Sequence, residues 1–305
     1  MNCILITGAT SMIGVALIEE ALANGTEVFA IVRNGSKRLG RLPCSPLLHV
    51  VFIDSLNEYQ SILKDITKPI DAFYHFAWLY TEKQYRHDPI LQNENVEISL
   101  NMVEFCKALN CKKFVFAGSQ AEYGPRTDKI YATDRVAPVL SYGIAKYATE
   151  RLTANLCSQY GIVHACGRIF SVYGKNDNEG TMLNYAISKF KNKENAYFTS
   201  GQQKWDYLNE KDAGIAFFLI GDKVNNNFIC NVASGISLPL CKYIDMLADL
   251  LNAKKYCVLN QTETQPLGLE ADIAELKSLG FKTSIKFEEG IKNVVENKDF
   301  ATNKL

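Results

Sequence analysis

The sequence predicts an α/β protein: a doubly wound parallel sheet followed by a smaller C-terminal lobe. Three observations predict it. Short apolar runs rich in Val, Ile and Phe (CILIT, VFAIV, VVFI, FYHFA, FVFAG and VHACGRIF) recur between amphipathic stretches, as strands covered on both faces by helices require. The first run passes straight into Gly8-Ala9-Thr10-Ser11-Met12-Ile13-Gly14 and a helix-forming stretch, a strand-turn-helix unit. With 305 residues, 47% of them hydrophobic, the chain can bury a sizeable core.

The elements follow in order. A helix is expected over 12–23, stopped by Asn24-Gly25, with further helices over 95–109 and 142–160. Residues 1–170 read as the sheet domain. After Gly174 the pattern loosens through KNDNEGT, a helix reaching Lys191, and FTSGQQKWDYLNEKDAG. Residues 171–305 are therefore expected to form mainly the second lobe, with about 206–234, including the strand-like NNFICNVAS, returning to the sheet.

Composition excludes some classes. Lys plus Arg equals Asp plus Glu, 33 each, so nothing in bulk charge draws the chain to nucleic acid or an anionic membrane, and an anionic ligand must be caught locally. The nine cysteines are scattered and odd in number, without a C-x-x-C pair, and read as reduced thiols with no metal site. MNCILITGAT lacks a leader pattern and no apolar run approaches ~18 residues. A cytoplasmic setting is expected.

The N-terminal turn reads as a dinucleotide cradle, its amides facing a pyrophosphate at the positive end of the helix. Gly8 permits the tight turn and Gly14 close packing of helix on strand, with Thr10, Met12 and Ile13 between them. Ser11 stands where glycine usually lets the backbone approach phosphate; it fits if its φ is negative, and its hydroxyl could add a hydrogen bond. Two glycines after a strand also suit any sharp turn. The end of the second strand, Ala30-Ile31-Val32-Arg33, carries no acid for a ribose 2′-hydroxyl, whereas Arg33, with Ser36, Lys37 and Arg38 close by, suits a 2′-phosphate. NADP(H) is expected over NAD. Asp54, after VVFI, is a candidate for the adenine edge or an ordinary strand-end cap.

Tyr142 and Lys146 lie four residues apart in a helix-forming stretch, hence on one face. A free tyrosine titrates near ~10, and a nearby ammonium favours the phenolate; Lys146 is expected to supply that charge. Ser119 ends the apolar strand FVFAG, where sheet ligands sit, and would hydrogen-bond the reacting oxygen. Each has a plainer reading, a solvated helix face or a turn serine, and only their combination favours chemistry.

In that order, TGATSMIG, Ser119 and YGIAK resemble the extended short-chain dehydrogenases/reductases, over nearly the whole chain. GSQAEYG, GRIFSVYG, WDYLNEKDAG, and LEADIAELKSLGF with FEEGI resemble landmarks of the nucleotide-sugar branch. The resemblance implies that hydride passes between nicotinamide C4 and a carbonyl or carbinol carbon while Tyr142 moves the proton, and that Lys146 also binds ribose hydroxyls. It implies cofactor contacts at Ser55, at Phe76 and Ala77 beside the nicotinamide ribose, at Asn95, and at Ile169. His75 is expected to pack or to satisfy the strand end, and Trp78 to serve as core or pocket wall.

The residues after Ser119 narrow the reaction. The family's 4,6-dehydratases place an Asp-Glu pair there, and its GDP-fucose epimerase-reductases a cysteine, whereas this chain has Gln120-Ala121. Hydride transfer alone remains. Arg33 favours an NADPH-dependent reductase of a nucleotide-linked 4-ketosugar, in particular a 4-keto-6-deoxy sugar; the alternatives are an NAD-dependent nucleotide-sugar C4 epimerase and a non-catalytic NADP-binding sensor. Substrate contacts are expected at Trp78, Ala121, Ser171 (asparagine in many relatives), Phe198 near the base, and Trp205 (arginine in many relatives, meeting the diphosphate), with Lys204 compensating. Relatives pair through the two long helices, so a homodimer is expected.

Overall fold

In the computed structural model, which describes residues 1–260 and 268–297, the six apolar runs are six parallel strands: β1 Cys3–Thr7, β2 Glu27–Arg33, β3 Leu48–Ile53, β4 Ala72–His75, β5 Lys113–Ser119 and β6 Val163–Ile169. Helices α1 Met12–Ala23, α2 Pro89–Ala108 and α3 Ser141–Tyr160 join them. Beyond β6 come β7 Ser171–Tyr173, α4 Met182–Lys191, β8 Ala196–Phe198, β9 Lys204–Asn209, α5 Glu210–Lys223, β10 Phe228–Val232, β11 Ser237–Pro239, α6 Leu240–Leu250, β12 Cys257–Leu259, α7 Ala274–Ser278 and α8 Phe287–Asn297.

The main sheet has seven strands in the order β10-β6-β5-β4-β1-β2-β3. The winding reverses between β1 and β4, the switch point at which such sheets bind ligands. β1 is buried throughout, and its side chains alternate between two cores: Ile4 and Ile6 join α1 and α5 through Leu17 and Phe217, while Cys3 and Leu5 join α2 and α3 through Met102, Phe105 and Cys157. A third core, around Tyr173, Leu183, Phe190, Tyr243 and Phe287, lies under the C-terminal elements.

The first helix spans the expected residues: Ser11 caps its start, and Gly25, at φ +72°, turns the chain after it. The second begins earlier than 95. Asp88 accepts hydrogen bonds from the Ile90 and Leu91 N–H groups at 2.9 and 3.1 Å, and Pro89 fills the first helical position, so capping starts the helix before its apolar spacing becomes visible. The segment 206–234 divides. β9 pairs with β7 and β11 in a three-stranded sheet, α5 packs on α1, and only β10 enters the main sheet, beside β6. All nine cysteines are free thiols. Among the described residues no helix is long and apolar enough to cross a membrane.

Gly214 sets the spacing of α5 on α1: a Cβ there would lie 2.5 Å from the Ala16 carbonyl oxygen. Backbone cannot give way as a side chain can. Gly214→Leu is expected to destabilise the protein by about 3 kcal/mol through overpacking, read as a lower urea midpoint with an unchanged slope.

Candidate active site

The cradle is built at the end of β1. Gly8 has φ +72°, and a Cβ there would stand 2.6 Å from Ala77 N and Phe76 C, against the chain leaving β4. At Gly14 a Cβ would lie 2.4 Å from the Gly8 carbonyl. Both positions require glycine on steric grounds. Ser11 has φ −73°, so its side chain brings no backbone strain, and its hydroxyl oxygen accepts from the Gly14 N–H at 3.1 Å. The middle position has exchanged close approach for a helix cap, and the hydroxyl hydrogen can still be donated. Met12 and Ile13 form the first turn of α1, whose leading N–H groups have no partner within the helix.

Arg33 ends β2 exposed. Asp54 accepts from Asn34 Nδ2 at 2.8 Å, and the Ser55 hydroxyl accepts from the Asn57 N–H at 3.3 Å, so both of these candidates already serve local structure. Arg38 reaches Asn178 Oδ1 at 3.5 Å. Arg41, which the sequence reading missed, donates to the Thr10 carbonyl at 3.4 Å. Burial and the neighbouring Arg38 charge lower its guanidinium from the usual value. The signal was present in the spacing Arg38-Leu39-Gly40-Arg41, a single 3-10 turn that brings the second arginine back to the cradle.

Ser119 ends β5 and caps the turn Gln120–Tyr123. Its hydroxyl accepts from the Ala121 N–H at 3.2 Å, and its own N–H donates to Glu122 Oε1 at 2.7 Å, a capping box. A Cβ on Gly143 would meet the Ala121 carbonyl at 2.5 Å, so α3 approaches this turn closely and brings Tyr142 to Ser119. Burial raises the Tyr142 phenol and Glu122 adds to that; hydrogen bonding with the Ser119 side chain and the Arg86 charge pull it down. α3 has no side-chain cap. Instead the Tyr142 N–H donates to the Arg86 carbonyl at 3.0 Å and the Ser141 hydroxyl to the His87 carbonyl at 2.8 Å.

Lys146 is 4% exposed. Its Nζ donates to the Ala117 carbonyl at 2.8 Å and stands 3.6 Å from the Trp78 ring centre but 6.0 Å from that of Tyr142. Burial pushes the ammonium down to about 7, opposed by Glu122 and Cys166. Lys146 thus stands near the tyrosine ring, as expected, with its ammonium held by the Ala117 carbonyl and the face of Trp78. Arg86, with Cζ 5.1 Å from the Tyr142 ring centre, is a second cation beside the ring, and its charge pulls the phenol down.

Under this constellation lies a buried ion triad, also missed. Arg168 Nε donates to Glu122 Oε2 at 2.8 Å, Nη2 to Glu150 Oε2 at 2.6 Å and Nη1 to the Ala132 carbonyl at 3.3 Å, with the Tyr123 ring centre 4.7 Å from Cζ. Burial and the neighbouring Glu150 push the Glu122 carboxyl up to about 8 against the Arg168 charge that lowers it, whereas its hydrogen bonds favour the charged form. Both Glu122 oxygens accept N–H donors, the pattern of an ionised carboxylate.

Most of the other predicted residues have partners within the protein. His75 bonds Thr7 Oγ1 at 2.8 Å and Ser99 Oγ at 2.9 Å, and burial drives it down to about 3, so the ring stays neutral. The Phe76 ring packs on Phe217 with centres 4.6 Å apart, while Ala77 N–H reaches Thr7 Oγ1 at 3.4 Å. Asn95 does not present a free amide to a cofactor: it accepts from Leu79 N at 2.6 Å and donates to Leu79 O at 3.2 Å, clamping the loop after β4. Trp78 Nε1 donates to Gln92 at 3.0 Å. Ile169 lies opposite Ser119 in the strand register, and Ser171 opposite Tyr207. Phe198 packs on Tyr185 and Phe190. Lys204 is exposed and pairs with Glu270 at 2.6 Å. Trp205 Nε1 is buried without a hydrogen-bond partner among the described residues.

A parallel sheet wound outward from a switch point, with a glycine-turned cradle and a Tyr-Lys helix at its carboxyl edge, defines a Rossmann-type nicotinamide-dinucleotide fold. The chain belongs to the NAD dependent epimerase/dehydratase family, which it matches over residues 4–233. It is 24% identical over 311 residues to an uncharacterized UDP-glucose epimerase of Bacillus subtilis, covering 96% of each chain. To the dTDP-4-dehydro-6-deoxyglucose reductase of Escherichia coli it is 25% identical over 211 residues, 67% of each. The UDP-glucuronic acid 4-epimerase of Bacillus cereus, solved with UDP-glucuronic acid and NAD, superposes with a TM-score of 0.80 at 19% identity, covering 96% of this chain and 98% of that one.

The lowered Lys146 makes stability depend on pH with a definite sign. With the folded value near 7 and the unfolded value near ~10.4, the unfolded chain binds the extra proton between them, so stability rises with pH across that window. The cost of the buried charge is fully present below about 7. In cofactor-free protein, Lys146→Met should therefore melt at or above the wild-type temperature at pH 7 and lose that advantage steadily by pH 10; parallel melting curves for the two proteins over this range would refute the assignment.

Proposed function

We propose that the protein acts at C4 of a nucleotide-linked hexose, with Tyr142 carrying the proton that accompanies hydride transfer. The observation that supports this reading is the meeting of Ser119, Tyr142 and Lys146 at the carboxyl edge of the sheet, beside the Gly8–Gly14 cradle.

The residues fit a nicotinamide dinucleotide. The cradle leaves no room for a Cβ at Gly8 or Gly14, and the positive end of α1 would hold the pyrophosphate. Lys146 would take the ribose hydroxyls. The dinucleotide, when bound, supplies or accepts the hydride. Tyr142 Oη removes the hydroxyl proton as the sugar carbon is oxidised and returns it on reduction, and the Ser119 hydroxyl donates to the same oxygen as charge develops there. Glu122 is fully buried and engaged by Ser119 and Arg168, and Gln120-Ala121 offers no acid. Elimination therefore has no catalytic group.

C4 epimerisation on retained NAD is the reading supported by the Bacillus proteins, one described as an uncharacterized UDP-glucose epimerase and the other a UDP-glucuronic acid 4-epimerase solved with NAD. It takes precedence over the reductase expected from Arg33 alone. One observation keeps NADPH-dependent reduction of a nucleotide-linked 4-ketosugar as a second reading: Arg33, Arg38 and Arg41 follow β2, where no carboxylate stands, and the Escherichia coli relative is a 4-dehydro-6-deoxyglucose reductase. In either reading, exposed Ile90 of α2 and Ile144 and Leu152 of α3 support a homodimer formed through those helices.

Purified protein decides between them. Epimerisation predicts NAD released on denaturation and interconversion of UDP-glucose and UDP-galactose without added cofactor. Reduction predicts consumption of added NADPH with a 4-keto-6-deoxy nucleotide sugar, and for Arg33→Asp a KM for NADPH at least about tenfold higher with NADH unaffected. Tyr142→Phe should lower turnover by about 10²–10⁴-fold in both cases while dinucleotide still binds; undiminished turnover would end the proposed chemistry.

A further inference from the structure

We propose that Arg86 is an electrostatic positioning residue for Tyr142, a fixed cation in the loop between β4 and α2 that holds the tyrosine ready to part with its proton. The proposal rests on the reading of Tyr142 as the proton carrier.

The tyrosine needs such a cation. An ordinary phenol titrates near ~10, and withdrawal from water moves it further from neutrality. The groups facing it are Ser119 at the end of β5, Glu122 in the following turn, Lys146 on its own helix, and Arg86. Lys146 is the less suitable of the two cations: its Nζ is given to the Ala117 carbonyl and the face of Trp78, and burial erodes its charge. A guanidinium does not share that weakness, since it stays protonated across the physiological range. Glu122 opposes the phenolate, but its carboxylate is paired with Arg168.

Arg86 is exposed, yet its loop is built rather than loose. Its Nε donates to the Thr81 carbonyl at 2.8 Å. Gln92 Nε2 donates to the Tyr80 and Tyr85 carbonyls at 2.9 and 3.2 Å, and the Asp88 N–H to the Tyr85 carbonyl at 3.1 Å. The Arg86 carbonyl receives the N–H of Tyr142 itself. Loop and helix start are thus one unit, and the 5.1 Å between guanidinium and ring is set by backbone as well as by side chain. Among the described residues no carboxylate forms an ion pair with Arg86, so its charge is not cancelled locally. Arg86 then adds a fixed charge to that of Lys146, which also serves the dinucleotide ribose.

The test follows the phenol directly. The full chain is labelled with 3-fluorotyrosine, the Tyr142 ¹⁹F resonance is assigned by its loss in Tyr142→Phe, and its pH titration is compared in wild type, Arg86→Gln and Arg86→Lys. Arg86→Gln should raise the Tyr142 midpoint by about half to one pH unit, because the guanidinium is partly screened by water. Arg86→Lys should restore most of it. The pH–rate profile of sugar oxidation should shift by the same amount, with the plateau rate kept. An unmoved Tyr142 midpoint in Arg86→Gln overturns the proposal; so does a raised substrate KM without a shift, which would make Arg86 a substrate-binding cation. Full turnover by Tyr142→Phe would instead defeat the underlying reading, whatever the midpoints show.

Discussion

The site depends on one buried charge cluster. Arg168, carried by β6, joins Glu122 from the turn after β5 to Glu150 from α3, tying together the three elements that place Ser119, Tyr142 and Lys146. Breaking a buried ion pair on one side leaves an uncompensated charge at a cost of about 3–5 kcal/mol. The capping box at Ser119 depends on the same arrangement, because Glu122 serves the Ser119 N–H with one oxygen and Arg168 with the other. The strand end that presents the serine and the helix that presents the tyrosine are thereby referred to one guanidinium.

The same cluster explains how an acid can lie next to the reacting groups without entering the reaction. Glu122 is close enough to influence both Tyr142 and Lys146, yet it is fully buried and both its oxygens are occupied. A carboxyl in that state is held in place by its partners and has no free oxygen to offer a substrate. The ammonium of Lys146 sits above it in surroundings that disfavour charge, so bound ligand hydroxyls would compete with the Ala117 carbonyl and the Trp78 ring for it. Among the described residues, Trp205 Nε1 is one of the buried side-chain polar atoms without a hydrogen-bond partner.

What could be read in the sequence was local. The strand-turn-helix at the N-terminus, the bounds of α1 and the four-residue step from Tyr142 to Lys146 all arise from neighbouring residues. The Asp88-Pro89 cap was local too, but it was masked because the apolar spacing of α2 begins later. Pairings across long separations were invisible: Glu122 with Arg168, Lys204 with Glu270, and the assignment of β9 to the small sheet while β10 takes the edge of the large one. The acceptor of the Lys146 ammonium, the Ala117 carbonyl, was invisible for the same reason, since helical spacing fixes the face a side chain leaves from and leaves the acceptor it finds to tertiary packing.

Trp78 gives the molecule a further property. The chain has two tryptophans. One lies against the Lys146 ammonium beside β4, and the other, Trp205, borders the third core in β9. Indole emission responds to nearby charge and to the loss of water, so the lysine and the small sheet each carry an optical label. Light from Trp78 would register events at the lysine, and light from Trp205 events around β9, where the first and third cores meet it. The two halves of a binding sequence can thus be followed separately in the unlabelled protein, by silencing one indole at a time.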